Sequence, residues 1–125
     1  MRKLAWVVLA AAAGAAACGD ESNPVVCTAI AVAALNVSVV DAATNTPVCD
    51  AEVVVTDGGF RETLPVFPGS GADCRYSGPF ERPGTYEVTV RRAGYPTAVQ
   101  SGVRVTSDEC HVIGVPVTIR LNAPR

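Results

Sequence analysis

Pro83-Gly84-Thr85-Tyr86-Glu87-Val88-Thr89-Val90 decides the fold. A turn dipeptide opens it, and apolar Tyr86, Val88 and Val90 then alternate with polar Glu87 and Thr89. Period-two alternation puts one face in a core and the other in water, so this is a half-buried strand and not a helix. The same period recurs on both sides. Leu35, Val37 and Val39 alternate with Asn36 and Ser38, and Ala51, Val53 and Val55 with Glu52 and Thr56. Val103 and Val105 flank Arg104, and Val115, Val117, Ile119 and Leu121 alternate with Pro116, Thr118 and Arg120. A shorter run covers Phe60 to Leu64. Val and Thr dominate, as suits a pleated surface. Turn-forming clusters separate the runs at 41–47, 57–59, 68–73, 94–96 and 107–109. Short strands with frequent turns predict an antiparallel sandwich. Pro116 has no N–H for a ladder, so its strand lies at a sheet edge or turns the Pro116 nitrogen outward. Cys27 to Ala34 is helical by composition, but its place before a strand predicts an extended lead-in. No helix is expected after the N-terminal segment.

The chain has 125 residues, enough for one domain. Apolar residues are 49% and charged residues 18%, which allows a core and excludes wholesale disorder. A net charge of −2 argues against nucleic-acid binding, which needs a basic patch. One His, one Trp and 6% aromatics are a thin stock for catalysis or cofactor stacking, so neither an enzyme nor a cofactor is expected.

The N-terminus reads as an address. Arg2 and Lys3 are followed by the apolar run Leu4 to Ala13 and by Gly14-Ala15-Ala16-Ala17. This is the charge, apolar, small-residue order of a secretory signal, too short for a span of about 20 apolar residues. An ordinary signal would be cut at an A-x-A site. Ala15-Ala16-Ala17-Cys18 instead resembles the lipobox of bacterial lipoproteins, with Ala15 where that motif usually has Leu. The resemblance implies a signal peptide over 1–17, lipid on Cys18 and a polar tether over 18–26. Within the tether, Gly19 to Pro24 reaches about 20 Å at full extension. Of the five cysteines, lipid on Cys18 leaves Cys27, Cys49, Cys74 and Cys110 for two disulfides in an oxidising compartment. Four cysteines allow three pairings. Each bridge would contribute about 3–4 kcal/mol. Acyl chains at about 0.8 kcal/mol per buried methylene would hold the protein on a bilayer, and no later stretch is long and apolar enough to span one.

The order of the phrases resembles the carboxypeptidase regulatory-like domain, a transthyretin-like Greek-key β-sandwich of about seven strands. The matching phrases are Val37-Ser38-Val39-Val40-Asp41 with Pro47-Val48-Cys49-Asp50-Ala51-Glu52-Val53, then Pro83 to Val90 leading to Gly94-Tyr95, then Cys110-His111-Val112 ahead of Val115 to Leu121. The resemblance covers roughly residues 33–121, with the domain taken as 27–122. It implies an all-β, non-catalytic module that serves as a spacer or binds glycans or proteins. In such sandwiches the first and a late strand run parallel and adjacent, which implies the pairings Cys27–Cys110 and Cys49–Cys74. Transthyretin-like hydrolases of a purine-derived ring use paired His and Arg and a C-terminal tail. Here His111 stands alone and the chain closes on Asn122-Ala123-Pro124-Arg125, so that activity does not carry over.

The remaining candidates weigh as follows. Cys110-His111 invites a nucleophile or metal reading, but neighbours on a strand point to opposite faces, and zinc wants three or four ligands. Asp41, Asp50, Asp57, Asp73, Asp108 and Glu109 sit at turns without the spacing of a calcium loop. Arg75, Arg82, Arg91 and Arg92 are candidates for an anion site. Tyr76, Phe80 and Tyr95 are candidate ligand contacts, because loop rings stack on sugars. The expected protein is therefore a monomeric, exported envelope lipoprotein, with the outer membrane favoured and a glycan or envelope protein as partner. The competing class is a periplasmic or secreted enzyme, or the accessory subunit of one, which a convergent polar pocket would favour.

Overall fold

The computed structural model describes residues 24–68 and 73–123. Cys18, the signal segment and most of the tether lie outside them. The described chain is all β. Its strands are β1 (Ala33–Asp41), β2 (Glu52–Asp57), β3 (Phe60–Thr63), β4 (Val66–Pro68), β5 (Cys74–Phe80), β6 (Gly84–Arg91), β7 (Ala98–Val105) and β8 (Val115–Leu121). They form two four-stranded sheets in the orders β4-β5-β1-β8 and β3-β2-β6-β7. Every pairing is antiparallel except β1 with β8, which run parallel from Leu35↔Val115 to Asp41↔Leu121. The sheets pack face to face as a β-sandwich.

Alternation builds the core. Leu35, Val37 and Val39 of β1 and Val117, Ile119 and Leu121 of β8 meet Val53, Val55, Tyr86, Val88 and Val90 from the other sheet. Each fully buried side chain of this size contributes about 1.5–3 kcal/mol. Pro116 lies in β8, the outer strand of its sheet, where a missing donor costs no ladder bond. Residues 24–32 enter without helix, as expected.

Among the described residues there are eight strands where the family resemblance implies about seven, and β4 and β5 were hidden. In β5, Tyr76, Ser77, Gly78 and Pro79 are all buried, so the strand lacks a polar alternation. Pro79 is tolerated because β4 covers β5 only over Cys74–Tyr76. On β7, Ser101 and Gly102 together oppose Glu87, a bulge in which Gly102 takes φ +70°.

The topology defines two ends. The near end collects the chain before β1, the β2–β3 and β5–β6 turns, and the β7–β8 loop. The far end collects the β1–β2 loop, the β6–β7 turn and the end of β8. Cys27–Cys110 staples the near end and Cys49–Cys74 ties the β1–β2 loop to the start of β5, with Cα atoms 5.2 and 5.3 Å apart. Two disulfides fit an exported, oxidising location.

Candidate functional site

The near end holds the densest polar cluster. Glu81 sits in the β5–β6 turn at φ +54°, a left-handed conformation that costs a non-glycine residue about 1–3 kcal/mol. The turn is over-determined by what Glu81 holds. Its Oε1 accepts from the Val32 backbone N–H at 2.9 Å and lies 2.6 Å from His111 Nδ1, while its Oε2 accepts from the Val112 N–H at 3.1 Å. A carboxylate only accepts, so Nδ1 carries a proton, and in the neutral ring Nε2 is left as the acceptor. Nε2 lies 3.0 Å from Thr28 Oγ1, within reach to accept from its hydroxyl when the ring is neutral. Asp108 holds the backbone that carries the ring, accepting from the N–H groups of Cys110 and His111 at 2.8 and 2.9 Å. The staple Cys27–Cys110 joins the residue before Thr28 to the residue before His111. Thr28, Glu81 and His111 line one open cleft of about 520 Å³.

The Val32 N–H, then the His111 ring and the Val112 N–H, hold the Glu81 carboxyl below its usual range. The His111 and Cys110 N–H groups do the same for Asp108. At the far end, Tyr95 donates to Asp41 at 2.7 Å, lowering Asp41 and raising the Tyr95 phenol. The folded state therefore favours the ionised carboxylates. Their contribution is fully present above the ordinary carboxylate range and is lost as pH falls through the lowered values. Thermal melts should show a flat plateau down to about pH 5 and a decline below about pH 4. Glu81→Gln should be less stable on the plateau and show a shallower acid decline. An equally steep decline in that variant would mean Glu81 does not contribute to it.

The structure separates the three candidate rings. Tyr76 is 1% exposed, which corrects its reading as a ligand contact: it faces the core from β5, and its hydroxyl donates to the Val48 carbonyl and accepts from the Ala51 N–H. Tyr95 is half-buried, bonded to Asp41 and covered by the Arg92 guanidinium 5.0 Å away. Phe80 is 48% exposed on the outside of the β4-β5-β1-β8 sheet, and Phe67, which the sequence did not single out, is 47% exposed near it. Both rings line a groove of about 440 Å³ together with Asn36 and Ser77, whose hydroxyl donates to Asn36 Oδ1 at 2.9 Å.

The arginines do not converge. Arg82 donates to Asp57 at 3.0 Å and to Tyr86 at 3.1 Å, with its guanidinium 3.8 Å over the Phe60 ring. Those two bonds, Tyr86 first, raise its pKa further. A Cβ at Gly84 would crowd the Asp57 carboxylate and require that side chain to shift. Arg92 pairs with Asp50 at 2.8 Å and Arg91 lies 3.8 Å from Glu52. Among the described residues no group of His, Cys, Asp and Glu is arranged to hold a metal ion.

Sequence reasoning singled out His111 but missed Thr28 and Glu81. No spacing signal could have joined positions 28, 81 and 111, which come from three segments. The near-end cleft sets Thr28, Glu81, Asp108, Glu109 and His111 beside the apolar Ala29, Ile30 and Pro83. No protein-family model matches the chain, and no curated protein matches it.

Proposed function

We propose that this protein is an envelope lipoprotein, anchored by lipid at Cys18, whose carboxypeptidase regulatory-like sandwich is a binding module for neutral glycans. The observation that carries the binding reading is the groove on the outer sheet face. Phe67 and Phe80 offer apolar faces for the C–H side of a sugar ring, and Asn36 and Ser77 offer an amide and a hydroxyl between them. Among the described residues no charged side chain lines the groove, which suits an uncharged ligand. The parallel β1–β8 pair supports the family resemblance. Residues 18–26 reach at most about 30 Å. With lipid on Cys18, a tether of that length keeps the sandwich close to the bilayer.

The test is titration of the full chain with neutral glucose, mannose and N-acetylglucosamine oligomers. Saturable binding to one of them is expected. Phe80→Ala and Phe67→Ala should each weaken it about tenfold, for about 1.4 kcal/mol of lost ring contact, with melting temperature unchanged. No saturable binding, or binding indifferent to both rings, overturns the glycan reading. Cys18→Ser should move the protein from the membrane to the soluble fraction.

A further inference from the structure

We propose that Thr28, His111 and Glu81 form a hydroxyl–imidazole–carboxylate relay that hydrolyses small uncharged carboxylic esters at the near end. This goes beyond the binding reading and does not depend on it. Strand geometry argued against a Cys110–His111 pair because neighbouring side chains point apart, but the relay takes its hydroxyl and its acid from elsewhere in the chain.

The geometry is that of an activated nucleophile. The base stands 3.0 Å from the hydroxyl, and a third group 2.6 Å away orients the base. The carboxylate fixes the tautomer, because Nδ1 must carry the proton and Nε2 is left to accept one. The arrangement is preorganised from both sides. Cys27–Cys110 covalently holds the Thr28 segment against the His111 loop, and two backbone N–H groups pin the Glu81 carboxylate. The strained φ of Glu81 falls within this cluster, where such strain is concentrated in functional sites.

The reaction balances with water alone. Thr28 Oγ adds to the ester carbonyl carbon as its proton passes to His111 Nε2. The tetrahedral adduct collapses, the carbon–oxygen bond to the alcohol breaks, and the alcohol leaves with the proton from Nε2. Water then adds to the acyl-Thr28 carbonyl, giving its proton to Nε2. Collapse returns that proton to Thr28 Oγ and releases the carboxylic acid. Glu81 stays ionised and stabilises the imidazolium. The cleft selects the substrate. Ala29, Ile30 and Pro83 give it an apolar wall, while Asp108 and Glu109 place negative charge around it. Anionic esters are repelled and small uncharged ones admitted.

The experiment incubates the full chain with p-nitrophenyl acetate, follows p-nitrophenolate release, and maps any acetyl group by peptide mass spectrometry. Acetyl on Thr28 is expected, with release falling about a hundredfold or more in Thr28→Ala and in His111→Gln. Thr28→Ser should remain active, which separates loss of the hydroxyl from loss of the fold. Intact disulfides and an unchanged circular dichroism spectrum in Thr28→Ala complete that control. No acetyl on Thr28 overturns the proposal. So does release that falls in His111→Gln but not in Thr28→Ala, since that is bare imidazole acting on the ester.

Discussion

Replacing Cys27 and Cys110 together by serine should destabilise the protein by about 4.5 kcal/mol, the largest effect of any change at the near end. The bridge spans 83 positions and encloses nearly the whole sandwich, so its loss restores the most freedom to the unfolded chain. The companion change at Cys49 and Cys74, spanning 25 positions, should cost about 3.5 kcal/mol. Chain entropy thus ranks the near-end staple first, although Cys27 itself is exposed and buries little. Urea unfolding of both double variants checks the order. A loss under about 1 kcal/mol for the near-end pair would show that residues 24–32 are held by the Glu81 network and not by the covalent link. In that case the Thr28–His111 contact should survive reduction.

The second large effect falls on Tyr76. Tyr76→Ala should cost about 3–5 kcal/mol, because it empties a core position under β1 and frees the loop that carries Cys49. Tyr76→Phe isolates the hydroxyl. It leaves the Val48 carbonyl and the Ala51 N–H without their partner and should cost about 1–3 kcal/mol. Burial raises the Tyr76 phenol, so the neutral hydroxyl persists as donor and acceptor across the physiological range. Denaturant unfolding measures both variants. Equal losses for Ala and Phe would place the whole effect in the hydroxyl pair and none in packing.

The sequence made the strands with strict alternation legible. Leu35–Val39, Tyr86–Val90 and Val115–Leu121 each carry their buried face as a pattern, and Pro116 marks the outer strand. It did not make β5 legible, because Tyr76, Ser77, Gly78 and Pro79 are all buried and leave no polar alternation to read. Tyr76 was misjudged for the same reason: once β5 is a strand, the inward direction of its ring follows. The disulfide pairing rested on the family resemblance, and the parallel β1–β8 register provides its physical basis, since it brings the lead-ins to both strands to one end. The candidate site was legible only as His111. Glu81 carried no signal of its own, and Thr28 lay within the extended lead-in. Their meeting is a property of three loops converging at one end of a sandwich, which no local pattern encodes. Phe67 escaped notice because β4 is only three residues long.

Lipid at Cys18 and two staples in one small sandwich are the centre of this account. The most direct test is the intact mass of the protein taken from the membrane fraction, alkylated before and after reduction. The account predicts a chain beginning at Cys18 that bears three acyl chains and takes up four alkyl groups only after reduction. A soluble chain without lipid, carrying a thiol that alkylates before reduction, would contradict it.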